Sequence, residues 1–224
     1  MSITIFDSQT KYSSVTVQTM LNEMAELWDT TNWKNSQGKS IAYEDGSTDV
    51  KELYLSDYIT IGKTTATSPT LQITHSSGAT RSPGTMNARF VIAKSEHGMV
   101  IHNPTSHFYL GIGKTIDESG EENWGLVTRG TTGQTDSLYC FTKKMQSNSA
   151  NNDFYICTTM RASTYYTVLS PIYSTYSDER FEEGLFFVRP YPMTSQGKCE
   201  LNGVKYYIGR ITTTNDGVLA LKYT

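Results

Sequence analysis

Gly111–Ile112–Gly113–Lys114–Thr115 is the stretch of this chain that most resembles known chemistry, the end of a phosphate-binding loop. Such a loop needs a further glycine five residues before its last one, and Phe108 stands there. It also needs a helix to follow, whose N-terminus holds the phosphate, and Ile116–Asn123 reads instead as an acidic turn. Gly62–Lys63–Thr64 fails the same test, with Asp57 at the required glycine. The four histidines, His75, His97, His102 and His107, contain none of the tight spacings that build a zinc site, and read as ordinary turn or surface residues. There is no Gly-x-Ser-x-Gly nucleophile elbow. Glu121–Glu122 and Glu182–Glu183 are adjacent pairs whose side chains would point to opposite faces of a strand, so neither forms an acid/base couple by itself. Asp117–Glu118 with Glu121–Glu122 reads as a solvated acidic loop, with weak calcium binding as the lesser reading. No catalytic residue, metal ligand or cofactor site is therefore assigned, and no cofactor is expected.

Composition narrows the function classes. The 224 residues carry 19 Lys plus Arg and 22 Asp plus Glu, a net charge of −3. This excludes a surface built as a whole to grip nucleic acid or an anionic membrane. Charged residues are 18% of the chain against about 25% in an average soluble domain, while Ser and Thr number 55 and Tyr 15. The apolar start, Ile3, Ile5 and Phe6, alternates with polar residues and ends at Asp7, which is too short for a signal peptide. No segment approaches the ~20 apolar residues of a membrane-spanning helix. Cys140, Cys157 and Cys199 are odd in number and widely spaced, so they read as free thiols of a chain made in a reducing cytoplasm.

The elements that would position these residues are mostly strands. The exception is a helix marked by Val17, Met20, Leu21, Met24, Leu27 and Trp28 at i, i+3, i+4, i+7 spacing, with Thr16 as its N-cap. Residues 1–12 read as a short strand or an extended arm. From Ile41 onward, short apolar or alternating runs lie between turn signals: Leu53–Leu55, Tyr58–Ile61, Thr70–Thr74, Ala88–Ala93, Met99–His102, Phe108–Ile112, Trp124–Thr128, Ser137–Thr142, Phe154–Thr158, Tyr165–Leu169, Gly184–Arg189, Val204–Ile208, Arg210–Thr214 and Val218–Tyr223. Ser95–Glu96–His97–Gly98 and Asn202–Gly203 are hairpin turns by composition. Thr64–Pro69, His75–Thr85 and Gln146–Asp153 read as loops, and Arg180–Glu183 as one helical turn. The expected fold is mainly β, an antiparallel sandwich or barrel with one N-terminal amphipathic helix, in a single domain over 1–224.

A hydroxyl-rich, near-neutral β chain with the C-terminal meander KCELNGVKYYIGRITTTNDGVLALKYT is similar to structural proteins of tailed bacteriophages and phage tail-like particles. The resemblance implies a non-enzymatic virion subunit in the neck, tail end or capsid decoration. Its partners would be further copies of itself as a homo-oligomer and other virion proteins, with neither membrane nor nucleic acid among them. Subunit contacts are expected at Ile3, Ile5 and Phe6 and at Tyr165, Tyr166, Tyr173 and Tyr176, because tyrosines bury large area with few rotors. The rival readings are a carbohydrate- or receptor-binding sandwich, with exposed aromatics beside carboxylates or amides, and a β-rich glycosidase or peptidase with a deep pocket.

Overall fold

In the computed structural model the described residues are 2–28, 37–83, 89–104, 108–129, 138–144, 168–172, 178–182, 184–189, 197–209 and 218–224. The helix forms where the periodicity places it. α1 (Val17–Leu27) buries Val17, Met20, Leu21, Met24 and Ala25. Thr16 caps it reciprocally: the Thr19 amide donates to Thr16 Oγ1 at 3.1 Å, and the Thr16 amide donates to Thr19 Oγ1 at 2.9 Å. At the other end Lys94 Nζ donates to the Leu27 carbonyl at 2.5 Å, placing a cation on the negative pole of the helix.

Seven strands form the central sheet: β1 (Thr4–Asp7), β7 (Val91–Ser95), β8 (Gly98–His102), β9 (Tyr109–Ile116), β10 (Glu122–Arg129) and β11 (Leu138–Phe141) in that order, with β13 (Arg180–Phe181) pairing β9 off the main path. A second sheet runs β2 (Ala42–Tyr43), β3 (Val50–Tyr54), β4 (Ile59–Lys63), β5 (Leu71–His75) and β6 (Thr80–Arg81). A third has the order β12 (Val168–Pro171), β14 (Leu185–Arg189), β17 (Val218–Lys222), β16 (Val204–Ile208), β15 (Gly197–Leu201). All pairings are antiparallel, and none of the three sheets closes into a barrel among the described residues.

The central sheet is covered on both faces. Ile92, Met99, Ile101, Leu110, Ile112, Leu126 and Phe141 share one core with α1 and the second sheet. Val91, Ala93, Val100, Tyr109, Val127 and Cys140 alternate with them and share another with Leu185, Phe187, Tyr207, Leu219 and Leu221 of the third sheet. Double coverage explains why β8 is buried at every position and why its sequence, Gly-Met-Val-Ile-His, does not alternate in polarity. Close approach of the third sheet requires glycine. A Cβ on Gly111 would lie 2.5 Å from Leu219 Cδ1, and one on Gly113 would lie 3.1 Å from Leu185 Cβ. The glycines of the phosphate-loop look-alike are thus packing positions inside β9.

The predicted turns at Glu96–His97 and Asn202–Gly203 close the β7–β8 and β15–β16 hairpins, the second with left-handed backbone at both residues (φ 52° and 78°). Two expectations are corrected. Arg180–Glu183 begins not as a helical turn but as β13, because the Phe181 and Glu182 amides donate to the Ile172 and Lys114 carbonyls. His75–Thr85 is not all loop, since Thr80 and Arg81 return to pair with β5. The strands expected at Phe154–Thr158 and Arg210–Thr214 and the loop at Gln146–Asp153 lie outside the described residues.

Candidate functional site

The predicted contact residues separate. Ile3 packs against the core shared with the third sheet, and Phe6 points the other way, its ring 5.9 Å from that of Phe90. Ile5 lies opposite Ala93 in the register and remains 41% exposed. β1 is therefore a strand of the chain's own central sheet, with one side chain left over for contact. Asp7 closes the strand: Arg89 forms an ion pair with it, and the Gln9 amide donates to its Oδ1 at 3.1 Å. Burial alone would raise the Asp7 pKa, but the Arg89 hydrogen bond, the Gln9 amide and the Arg89 charge outweigh it and hold the carboxyl below its ordinary range. Tyr165, Tyr166, Tyr173 and Tyr176 lie outside the described residues, as do His107 and Cys157. Tyr206 and Tyr207, also in the tyrosine-rich C-terminal third, are buried.

β1 is one edge of the central sheet, so alternate backbone amides and carbonyls along its outer side have no strand beside them among the described residues. Four of the other described edges carry features that discourage added strands. β2 and β6 have two residues each, and β2 is bulged. β12 ends in Pro171, and β15 presents exposed Lys198 and Glu200. β11 carries none of these on its own residues, and the Arg81 guanidinium lies 5.0 Å from the centre of its Tyr139 ring.

A second feature, not foreseen from sequence, is an open groove of about 800 Å³ between the β7–β8 turn and the third sheet. Ile116, Phe181, Phe186 and His97 line it, and Glu96, Lys114, Arg180, Glu182 and Lys222 give it charge of both signs. Gly184 lets its walls meet, since a Cβ there would lie 2.6 Å from His97 Cβ. His97 Nε2 is 3.3 Å from Glu96 Oε1, and Lys114 pairs with Glu122 at 3.0 Å. Burial lowers the His97 pKa. Glu96 and Glu182 oppose that shift, while Lys222 and Lys114 add to it, and the net effect favours the neutral ring. Arg180 and Glu182, two residues apart, form no ion pair among the described residues. The sequence signal was there in the charges of Arg180 and Glu182, but the pairing of β13 with β9 that sets them on a groove wall is not local.

The acidic loop is neutralised from within the chain. Ser119 Oγ and the Ser119 and Glu121 amides donate to Asp117 Oδ1, Lys143 pairs with Glu121 at 2.6 Å, and Lys144 lies 3.4 Å from Asp117. The Ser119 hydroxyl, followed by the Glu121 amide, brings Asp117 down to about 2. With Asp117 Oδ1 accepting three hydrogen bonds and lysines paired to Glu121 and Asp117, those two carboxylates are poorly placed to bind calcium. Among the described residues no group of three or more His, Cys, Asp or Glu could hold a metal ion, and no helix is long and apolar enough to cross a membrane. The chain matches no protein-family model, no curated protein and no solved structure.

Proposed function

We propose that this chain is a non-enzymatic structural subunit of a tailed phage or phage-like particle, assembling with copies of itself at the neck or tail end and reaching other virion proteins from there. The observation that carries the reading is the β1 edge. It is four residues long, has Ile5 exposed, lacks the shortness or proline found on β2, β6 and β12, and holds its one charge, Asp7, in an ion pair with Arg89. An unguarded edge is an aggregation hazard in a monomer and an asset in a subunit whose neighbour covers it. The hydroxyl-rich composition and low charge are in keeping with large contact surfaces. Electron microscopy of the purified chain tests the reading. Rings, tubes or lattices are expected, and isolated particles of 25.1 kDa at every concentration contradict it.

One observation favours a carbohydrate-binding reading. Tyr43, on the β2 edge, is 54% exposed and is followed by Glu44 and Asp45. A glycan screen in which binding is lost on Tyr43→Ala would support that reading, and equal binding by the variant would dismiss this site.

A further inference from the structure

We infer that the charged groove takes the β15 strand of a second copy, with Arg180 facing Glu200 and Glu182 facing Lys198. The inference rests on the assembly reading above and names a contact for it. Arg180, Lys198 and Glu200 are exposed and Glu182 is half-buried. None of the four makes an ion pair among the described residues. Each pair is spaced i, i+2, so on extended backbone its two charges project on one side about 6.8 Å apart. The order along the chain is cation then anion at 180 and 182, and cation then anion at 198 and 200. Two such segments match in antiparallel alignment, the alignment of every described strand pair, and parallel alignment would set like charges together.

Both partners have room for the contact. Among the described residues β15 pairs with β16 alone, and the Lys198 and Glu200 charges that discourage an unmatched strand select a charge-matched one. β13 lies where β9 runs past the end of β8, and its outer backbone edge is taken at Phe181, whose amide donates to the Ile172 carbonyl, so the contact is made by the Arg180 and Glu182 side chains that line the groove beside the Glu96–His97 turn. Phe186 and Ile116 supply apolar contact beneath the charges. The two matching surfaces are different parts of the chain, as a heterologous contact requires.

Charge reversal with rescue tests the contact on the full chain. Wild type, Arg180→Glu, Glu200→Arg and the double variant are compared by light scattering over a concentration series, with circular dichroism confirming that each is folded. Each single reversal sets like charges face to face and is expected to raise the concentration needed for assembly by at least about tenfold, while the double variant returns near wild type. Added salt should weaken wild-type assembly in the same direction. If wild type assembles and the single variants assemble equally well, or the double variant is no better than the singles, this contact is overturned and the assembly reading stands. A wild type that never self-associates overturns both.

Discussion

The His102 ring and the Tyr207 hydroxyl, 105 residues apart in sequence, are hydrogen-bonded at 2.9 Å across the interface between the central and third sheets. Both residues are buried, and their rings lie 5.9 Å apart. Burial, reinforced by the nearby Asp7 charge and opposed by Arg89, pushes the Tyr207 phenol up to about 12. Like the bond from the Ser95 hydroxyl to the Lys222 carbonyl at 2.7 Å, this one is a polar tie between the two sheets. It joins the third sheet to the strands that hold the β1 edge.

Removing that tie is expected to cost about 1–2 kcal/mol in the Tyr207→Phe variant, because a buried imidazole nitrogen loses its partner. Urea denaturation measures it. The pH dependence has a definite sign. The folded phenol titrates above its unfolded value, so its contribution is complete below about pH 10 and is lost as pH rises towards 12. Wild type should therefore lose stability relative to Tyr207→Phe through that window, and parallel alkaline curves would refute the assignment.

Asp7 has the opposite sign. Its carboxyl is held below the ordinary value, so its contribution is present near neutrality and disappears as pH falls below about 3.9. Asp7→Asn should destabilise the chain by about 1 kcal/mol at pH 7, and by progressively less as the pH falls into the acid range. A deficit that persisted unchanged in acid would show that the charge on Asp7 is not what matters.

Two glycines separate backbone strain from crowding. Gly98 and Gly120 both have left-handed φ, +147° and +82°. A Cβ on Gly98 would lie 2.1 Å from the Ile112 carbonyl oxygen, whereas nothing lies within 4 Å of one on Gly120. Gly120→Ala should cost about 1 kcal/mol and Gly98→Ala clearly more, read from thermal melts. Equal costs would mean that the close approach of β8 to β9 is not as tight as described.

The Thr16 cap is worth about 1 kcal/mol by the same measurement, and Thr16→Asn should retain most of it. A Thr16→Ala variant as stable as wild type would show that the Thr19 amide finds another acceptor.

Local patterns in the sequence were legible. The helix, its Thr16 cap, the two hairpin turns and most strands of the central sheet follow from spacing and turn chemistry. What was hidden depends on layers. Glu23 looks like a solvated helix residue, yet it is buried, because Ser8–Tyr12 fold back and bring Lys11 Nζ to 2.5 Å and the Tyr12 hydroxyl into hydrogen bond with its carboxylate. Gly111 and Gly113 look like a phosphate loop until the third sheet packs on them. Ile3, Ile5 and Phe6 look like one apolar arm, but strand alternation and the second and third sheets assign two of them to cores and leave only Ile5 outside. Arg180 and Glu182 display their opposite charges in the sequence, but the groove they line is made by segments that meet only in the folded chain.

The most direct measurement is the solution mass of wild type and Ile5→Lys across a concentration series. Lysine at an exposed edge position should leave the fold within about 0.5 kcal/mol of wild type, which a thermal melt checks. The account predicts a defined oligomer for wild type and a shift towards 25.1 kDa for Ile5→Lys. A wild type that is monomeric throughout, or an Ile5→Lys variant that assembles as wild type does, would contradict the claim that the β1 edge is where subunits meet.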